Sequence, residues 1–396
     1  MDTKALGQFY KDKLLNEVEP FWFPRSLDTV NGGLYHCCAA DGTLVDTDKN
    51  VWAQGRMAWM LLTCYNSIEQ RPEWMQYAES ALKFLEEKCV DPTDGRMYFH
   101  MTADGTPIRK RRYAYSECFA AIAWAAHYGA TGDTHSAERA RHWFDIYADI
   151  NFTPGKMAPK STGKRPGENL GCRMIMIVTA QELRRYLGDT DGFYTAWIDR
   201  CIDDLQRLFL HEDIKAVMEN VAPDGSVIDH FDERVLNPGH DIEGGWFVLE
   251  EARYRGGDKK LIEIGCKMID WALERGWDKK YGGLLYYTDV YNKPVQEYWH
   301  NMKFWWPHDE ALIGTCLAYV MTGDEKYAEW HQRIHDWSFE HLQDKEHGEW
   351  FGYCNQDGTT TNGLKGSMWK SFFHHPRALW CCAHYFGAIA APTTKK

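Results

Sequence analysis

The chain has 396 residues, of which 44% are hydrophobic and 26% charged, and its formal net charge is −12. This composition is typical of a globular protein and excludes a long disordered tail. The acidic balance argues against nucleic acid as a partner, because phosphate binding needs a basic face. The apolar runs are too short to span a bilayer, and the first twenty residues lack the apolar core of a signal peptide. We therefore expect a cytoplasmic protein that does not enter a membrane.

Amphipathic and apolar stretches predict helices along the whole chain. Residues 51–65 are apolar nearly all round, as in a helix packed on both sides, whereas residues 73–88 place their apolar side chains on one face. Pairs such as Gly132-Asp133 and Gly323-Asp324 separate neighbouring helices, because Gly ends one helix and Asp caps the next. The predicted helices lie near residues 3–19, 50–69, 73–89, 113–130, 134–149, 168–187, 192–210, 240–256, 259–275, 306–322, 325–342 and 372–388.

A short motif with a glycine or alanine start, an aromatic-rich strand and a turn recurs at intervals of about 63 residues or twice that. The copies are GGLYHCCAADG from Gly32, GRMYFHMTADG from Gly95, AVMENVAPDG from Ala216, GGLLYYTDVYN from Gly282 and GEWFGYCNQDG from Gly348. A degenerate sixth copy is expected near residues 151–163. Twelve helices with one such loop per pair predict an all-α fold, an (α/α)6 barrel in which short β-hairpin loops lie at one mouth. We expect residues 1–396 to form one domain, and an open helical solenoid is the structural alternative.

Known sequence signatures of several chemistries are missing. There is no GxSxG, HExxH or GxGxxG motif, and the 12 cysteines contain no CxxC pair. We expect reduced, buried thiols. The histidines stand singly rather than in an array with metal-ligand spacing, so we predict no metal and no cofactor for the chemistry.

Polar and aromatic residues gather at the start of every second helix. In an alternating barrel such segments converge on one mouth, where helix N-termini also favour anionic oxygens. The candidate site residues from these segments are Arg56, Tyr115, Met174, Asn237, His240, Glu243, Trp305, Trp306, His308, Glu310, His374 and Arg377.

His240 is the strongest candidate for acid–base chemistry. Glu243 follows it by one helical turn on the same face, so we expect this carboxylate to orient the imidazole and to tune its pKa. His374 and His375 are adjacent, so they point to different faces, and we expect only one of them in the pore.

The remaining candidates have structural alternatives. Arg56 lies in an otherwise apolar helix and could form a buried salt bridge instead of a site. His308 and Glu310 follow a proline at a helix start and could serve as capping residues. Trp305 and Trp306 suit either the core or a platform for a sugar ring.

Six segments of the sequence together resemble the N-acylglucosamine 2-epimerase family. They are NVWAQGR, NPGHDIEGGWF, GWDKKYGGLLYY, KFWWPHDEA, HGEWFGY and FHHPRAL. The resemblance runs from about Phe21 to Gly387 and implies an (α/α)6 barrel, usually a homodimer. It also implies reversible epimerisation of N-acyl-D-glucosamine and N-acyl-D-mannosamine at C2 of the opened sugar. That reaction needs a proton carrier on each side of C2 and a cation near the developing oxyanion.

The resemblance also implies roles for particular residues. His240 and His374 match the family's paired histidines, and Arg56 matches its arginine. Glu243 and Glu310 match acidic positions that orient a histidine or bind sugar hydroxyls. Tyr115 matches an aromatic position of the wider superfamily.

Related activities on the same barrel remain open. Cellobiose 2-epimerases and aldose–ketose isomerases carry a third active-site histidine on the sixth helix, whereas residues 151–187 of this chain contain none. Met174 or a neighbour would line the pocket there and give an apolar wall suited to an acyl methyl group. A glycoside hydrolase using Glu243 and Glu310, or a non-catalytic binding protein, is a remoter alternative.

A glycine-flanked basic loop carries Lys156, Lys160, Lys164 and Arg165. Many members of the family that this chain resembles use ATP as an activator rather than a reactant. We therefore predict that this loop is a candidate ATP site, with a mobile solvated loop as the alternative.

Overall fold

The computed structural model describes residues 1–158 and 162–393. Its α-helices follow one another along the chain and are joined by loops that carry only short strands. In chain order they are α1 (Thr3–Lys13), α2 (Glu19–Trp22), α3 (Val51–Ser67), α4 (Pro72–Lys88), α5 (Tyr115–Thr131), α6 (Thr134–Phe152), α7 (Leu170–Leu187), α8 (Phe193–Asp204), α9 (Pro238–Tyr254), α10 (Lys259–Gly276), α11 (Trp305–Thr322), α12 (Glu325–His341) and α13 (His374–Tyr385). π-Helical turns at Leu14–Val18 and Leu205–Phe209 extend α1 and α8.

Side-chain caps fix where the helices begin. Asn50 accepts a hydrogen bond from the backbone N–H of Trp52 at the start of α3, and Asn237 caps α9 in the same way. Asp133 and Asp324 cap the outer helices α6 and α12. The preceding Gly132 and Gly323 have positive φ and end α5 and α11, so the predicted Gly-Asp boundaries are confirmed there.

The helices form two concentric rings. Helices α3, α5, α7, α9, α11 and α13 contact one another in that order, and α13 contacts α3, so the inner ring is closed. Helices α4, α6, α8, α10 and α12 each pack on the inner helix that precedes them, and α1 packs on α13. This arrangement confirms the predicted (α/α)6 barrel and excludes the open solenoid.

Burial follows from these positions. Nearly every residue of α3 and α5 is buried, whereas α4 and α10 bury one face and expose the other. Cys37 and the other cysteines are all free thiols, as predicted. In the part of the chain that the structure describes, none of the helices combines the length and the apolar character needed to cross a bilayer.

Short antiparallel strands pair in the loops that lead into the inner helices. They are β1 (Cys37–Cys38), β2 (Leu44–Asp46), β3 (Lys49–Asn50), β4 (His100–Met101), β5 (Pro107–Arg109), β6 (Glu168–Asn169), β7 (Leu210–His211), β8 (Ala216–Val217), β9 (Asn220–Val221), β10 (Val235–Leu236), β11 (Thr288–Asp289), β12 (Lys303–Phe304) and β13 (Tyr353–Cys354). Because β3, β6, β10 and β12 end where α3, α7, α9 and α11 begin, these loops lie at the N-terminal mouth of the inner ring.

One turn geometry recurs in the loops of four repeats. In each copy an aspartate is flanked by residues that form the same antiparallel bridge, namely Leu27–Leu34, Val90–Met97, Trp277–Leu284 and Gln343–Trp350. A lysine pairs with the aspartate of each copy, as in Lys49–Asp28, Lys110–Asp91, Lys303–Asp278 and Lys365–Asp344. The four motif copies from Gly32, Gly95, Gly282 and Gly348 therefore share one fold.

The predicted copy near residues 151–163 is wrong. Residues 151–152 still belong to α6, and the described residues 153–158 and 162–163 form no strand. Strand β6 at Glu168–Asn169 pairs instead with β9.

Candidate active site

A cavity of about 700 Å³ opens at the N-terminal mouth of the inner ring and runs down between the inner helices. Its wall contains most of the residues that the sequence singled out. These are Arg56, Tyr115, Met174, His240, Glu243, Trp305, Trp306, His374 and Arg377.

His374 begins α13 and is held from behind. Its Nδ1 atom donates a hydrogen bond to Oε1 of Glu310 at 2.7 Å. Its Nε2 atom has no hydrogen-bond partner among the described residues. Burial, followed by the nearby cations of Arg377 and Arg56, holds the pKa of His374 well below its usual value. This imidazole is therefore neutral at physiological pH and presents a free Nε2 lone pair.

His240 lies in the first turn of α9 and has a different environment. Its Nδ1 atom lies 2.9 Å from Oε1 of Glu219, and its side chain is 35% exposed. Burial opposes protonation, but Glu219, with Glu243 and Glu310 further away, raises the pKa of His240 above its usual value. The pKa values of the two imidazoles are thus shifted in opposite directions, as is common for acid–base pairs in active sites.

The prediction that Glu243 orients His240 is wrong. Oε1 of Glu243 accepts a hydrogen bond from Nη2 of Arg377 at 2.6 Å, and Nδ1 of His240 is occupied by Glu219. The cation of Arg377 draws the Glu243 carboxylate across the pore to α13. Glu243 influences His240 only through its charge.

Arg377 binds both Glu243 and Glu310. Its Nη2 atom lies 2.6 Å from Oε1 of Glu243, 2.6 Å from Oε1 of Glu310 and 3.3 Å from Nδ1 of His374. One possible ligand atom from each of Glu243, Glu310 and His374 lies within 4.8 Å of the others, a spacing that metal ligands also have. The guanidinium already occupies the point on which they converge, so the cluster is compensated by a side-chain cation.

Arg56, unlike Arg377, has no such partner among the described residues. Its guanidinium lies over the rings of Phe119 at 4.2 Å and Phe373 at 4.8 Å. No hydrogen bond or ion pair to it occurs among the described residues, and its Nε atom is buried without a partner. The structural salt bridge considered above is therefore absent from the described part of the chain. Burial lowers the pKa of Arg56 to about 10, so it remains a cation at neutral pH.

Trp306 separates the two catalytic candidates. Its ring centroid lies 5.0 Å from that of His240 and 5.8 Å from that of His374. A Cβ atom at Gly239 would lie 2.6 Å from the Trp306 ring, so a glycine is required for this approach. Trp305 lies beside His374 in the same wall. Both tryptophans are buried against the core and also line the cavity.

Helix α7 supplies an apolar part of the wall. Met174, Ile175 and Val178, which share one face of this helix, line the cavity. The sequence predicted an apolar wall here, where related enzymes carry a histidine on the helix equivalent to α7, and the position of Met174 agrees with that prediction. Tyr115, at the start of α5, packs against Trp52 at a centroid distance of 5.4 Å and continues the aromatic lining.

Three predicted residues do not line the cavity, namely Asn237, His308 and, as described below, Glu310. Asn237 is buried and caps α9. His308 is fully buried, donates to the carbonyl of Phe304 and accepts from the N–H of Leu284. The substrate-contact prediction for both is not supported, because the side chain of Asn237 is engaged in capping α9 and that of His308 stacks on Trp337 between the rings.

Glu310 is also fully buried, and its role is indirect. Its Oε2 atom accepts a hydrogen bond from Nε1 of Trp246 at 2.8 Å, while Oε1 holds His374 and Arg377. Its position agrees with the orienting alternative and not with a contact to sugar hydroxyls. His375, as expected, lies outside the pore, where its Nδ1 atom lies 2.9 Å from Oδ1 of Asp309.

Sequence reasoning missed several residues of the wall, because they come from hairpin loops rather than from helix starts. They are Arg112, Glu219, Tyr286, Tyr287, Trp299, Tyr353 and Trp369. A signal existed for Glu219. Five residues before the Asp224 of its own motif copy, it stands where three other copies carry His36, Phe99 and Gly352, so it is the carboxylate among these four residues.

The basic loop does not form a common binding site in the described residues. Lys156 pairs with Asp149 at 3.1 Å. Lys164 and Arg165 are exposed, and Lys160 lies outside the described residues. An open depression beside Lys156 is also lined by Asp94, Asp145 and Asp149. The prediction of an ATP site stays a prediction.

Comparison with known proteins gives a consistent result. A family model described as "N-acylglucosamine 2-epimerase (GlcNAc 2-epimerase)" matches residues 33–378. The chain is 33% identical over 383 residues to the N-acylglucosamine 2-epimerase of Mus musculus, covering 95% of this chain and 90% of that protein. It is 24% identical over 398 residues to the cellobiose 2-epimerase of Dictyoglomus turgidum, covering 95% and 98%.

A solved structure shows the same fold. The cellobiose 2-epimerase from Bacillus thermoamylovorans superposes with a TM-score of 0.83 at 22% identity, covering 96% of this chain and 99% of that one.

Proposed function

Because the chain belongs to the N-acylglucosamine 2-epimerase family, we propose that it interconverts N-acyl-D-glucosamine and N-acyl-D-mannosamine at C2. The protein is then an isomerase acting on the ring-opened sugar. The observation that carries the proposal is the pair of cavity-lining histidines, His240 and His374, whose environments move their pKa values in opposite directions.

The chemistry follows from the acidity of C2 in the open form. The C1 aldehyde acidifies the C2 proton, so one neutral imidazole removes it and an enolate forms, with its negative charge on the C1 oxygen. The opposite imidazole, in its protonated form, returns a proton to the other face of the planar carbon. His374 is kept neutral and His240 is favoured in the protonated form, so base and acid are both available at one pH.

Arg56 has the role of oxyanion stabiliser in this scheme. The developing negative charge on the C1 oxygen needs a cation that is already in place and is not neutralised by a protein carboxylate. Arg56 fits this need because its guanidinium is held by the rings of Phe119 and Phe373 rather than by an ion pair. Arg377, by contrast, is engaged by Glu243 and Glu310.

The apolar wall of α7 supports the N-acyl sugar over the related substrates. Met174, Ile175 and Val178 offer contact to an acyl methyl group but no hydrogen bond to a free sugar hydroxyl. Epimerisation of cellobiose, or isomerisation of mannose, is the second candidate because relatives with a cellobiose 2-epimerase activity match most of the chain.

Glycoside hydrolysis is disfavoured. It needs two carboxylates that face the scissile bond from opposite sides. Glu243 and Glu310 instead share one nitrogen of Arg377, and Glu310 is fully buried.

Several finer features are part of the same proposal. We expect residues 1–396 to act as one catalytic domain, since α13 contacts α3. A homodimer, a cytoplasmic location, activation by ATP and independence of metal ions are expected from the family resemblance and from the sequence.

The deciding experiment incubates the purified protein with N-acetylglucosamine, with and without ATP, and follows N-acetylmannosamine by NMR. Cellobiose, mannose and glucose are run in parallel. Formation of N-acetylmannosamine supports the proposal, and a protein that turns over only cellobiose or mannose supports the second candidate. Release of a free monosaccharide from an oligosaccharide, or no turnover of any sugar, contradicts both.

A further inference from the structure

Glu219 lies in the loop between β8 and β9, and its carboxylate lines the cavity beside His240. Oε1 of Glu219 lies 2.9 Å from Nδ1 of His240, and its side chain is 14% exposed. Because Nδ1 of His240 is engaged by Glu219, Nε2 is the ring nitrogen that remains for proton exchange with C2 in the proposed chemistry. Glu219 therefore contacts a proposed proton carrier, although the proposed chemistry gives Glu219 itself no role.

The backbone of Glu219 is fixed to the start of α7. Its carbonyl accepts hydrogen bonds from the N–H of Leu170 at 3.0 Å and from the side chain of Asn169 at 3.3 Å. Asn169 also bonds to the side chain of Asn220, the next residue in the chain. The carboxylate is thus presented to α9 from a rigid corner formed by β6, β9 and α7.

Comparison with the other repeats distinguishes what the backbone of Glu219 does from what its side chain does. In two other repeats the equivalent residues are Phe99 and Gly352, whose carbonyls accept the first N–H of α3 and of α11. The barrel therefore uses the backbone carbonyl at this position, whatever the side chain. Of these three residues, Glu219 alone has an ionisable side chain.

From this arrangement we infer that Glu219 is a positioning residue for His240, which it holds in the tautomer that carries its proton on Nδ1 and exchanges protons with C2 through Nε2. The inference rests on the proposed function. An orienting carboxylate acts in this way because it fixes the ring and stabilises the imidazolium that forms during turnover.

The charges around His240 make Glu219 the closest anion. Glu243 on the same helix and Glu310 on α11 also act on the imidazole, but Glu219 makes the direct hydrogen bond. His374 on α13 faces the same space, and its pKa is lowered in part by the charge of His240. Asp241, beside His240, is buried near Glu219, and burial holds its pKa well above the usual value. Asp241 is therefore neutral and does not replace Glu219.

The test compares Glu219→Gln and Glu219→Asp with Glu212→Gln as a matched control. Glu212 follows β7, the strand that pairs with β8, is largely exposed and pairs with Lys267 on the surface. Two readouts are needed. One is the rate of deuterium exchange at C2 of each epimer, followed by NMR over a range of pH, and the other is the melting temperature.

For Glu219→Gln we expect exchange at the face served by His240 to fall by about 10²-fold, while exchange at the other face stays within about twofold. The acid limb of the affected rate should move to lower pH, because loss of the Glu219 charge lowers the pKa of His240. Glu219→Asp should recover part of the rate, and Glu212→Gln should match the wild type.

Two results would overturn the inference. One is exchange at both faces within about twofold of wild type in Glu219→Gln, with an unchanged pH profile. The other is an equal loss at both faces together with a lower melting temperature, which indicates a structural role. Failure of the proposed function itself is distinguishable, because then the wild-type protein exchanges neither N-acyl epimer.

Discussion

Nη2 of Arg377 lies 2.6 Å from Oε1 of Glu310, and the same oxygen accepts the Nδ1 proton of His374. One carboxylate oxygen therefore contacts both the proposed catalytic base, His374, and a cation that lowers the pKa of this histidine. His374 is neutral although a carboxylate contacts it, because burial, followed by the charges of Arg377 and Arg56, lowers its pKa.

This relationship leads to a prediction about metal ions. Exhaustive chelation with EDTA should leave the epimerisation rate unchanged, because Arg377 fills the space between Glu243, Glu310 and His374. The rate is measured before and after chelation in buffer without ATP, since ATP is commonly supplied with magnesium. Loss of activity that one divalent ion restores would contradict the prediction.

The two histidines should be separable by isotope exchange. His240→Asn and His374→Asn should each abolish net epimerisation, because inversion needs a proton carrier on both faces of C2. Each variant should still exchange solvent deuterium into one epimer through the remaining histidine. General acid–base groups contribute about 10²–10⁴-fold, so losses of that size are expected in the NMR assay. Near-normal epimerisation by both variants would require another base.

Arg56→Lys should reduce kcat strongly although it keeps the charge. The planar guanidinium, which lies over the rings of Phe119 and Phe373, can give two parallel donors to an oxyanion, whereas an ammonium cannot. Loss of an oxyanion donor typically costs about 10²–10³-fold. Arg207→Lys, at an exposed surface pair with Asp204, serves as the control. A rate for Arg56→Lys equal to that control would remove Arg56 from the mechanism.

Substitution of Met174 should change substrate preference. Met174→Asn places a polar amide in the apolar wall and should lower kcat/KM for N-acetylglucosamine by about 10–200-fold, the range for such hydrophobic contacts. Met174→Leu keeps volume and polarity and should stay close to wild type. The comparison is repeated with glucose, which lacks the acyl group. An equal loss for both sugars would show that Met174 does not contact the acyl group.

His308 should affect the pH dependence of the protein's stability and should not affect catalysis. Burial lowers the pKa of His308 to about 3, whereas the unfolded chain takes up the proton near pH 6.5. The unfolded state therefore binds more protons between these values, and the free energy of unfolding falls as the pH drops through this window, by up to about 1.4 kcal/mol per pH unit for this group.

The measurement is urea denaturation of wild type and of His308→Gln at pH 7 and pH 5. His308→Gln should be less stable at pH 7 but should lose less stability on acidification. The kcat/KM of its folded fraction should equal that of wild type. A change in kcat/KM without a change in stability would return His308 to the substrate site.

The sequence predicted the barrel because its signals are local. Helix periodicity, Gly-Asp boundaries such as Gly132-Asp133 and the recurring loop motif each depend on residues that are close in the chain. The position of His240 and His374 in the wall followed from their helix starts. The orienting partner of His240 did not, because Glu219 approaches from a loop and Glu243 is drawn away by Arg377.

The rotation of each helix about its axis also escaped prediction. Trp305 and Trp306 line the cavity, but His308 at the same helix start turns outward and stacks on Trp337 at 4.5 Å. Successive side chains on a helix differ by about 100°, so a shift of two positions exchanges the pore for the space between rings.

The pairing of α1 with α13 gives the barrel an unusual order of assembly. Every other outer helix follows its inner partner along the chain, but α13 receives its outer partner from the opposite end of the sequence. His374 and Arg377, both on α13, are also among the last residues of the barrel to be synthesised. The first five helical pairs can form from neighbouring segments, whereas the pair that carries the proposed catalytic base requires closure across more than three hundred residues. Such a closure is slow compared with local contacts. Catalytic activity should therefore appear later in folding than helical structure, at the step in which the ring closes.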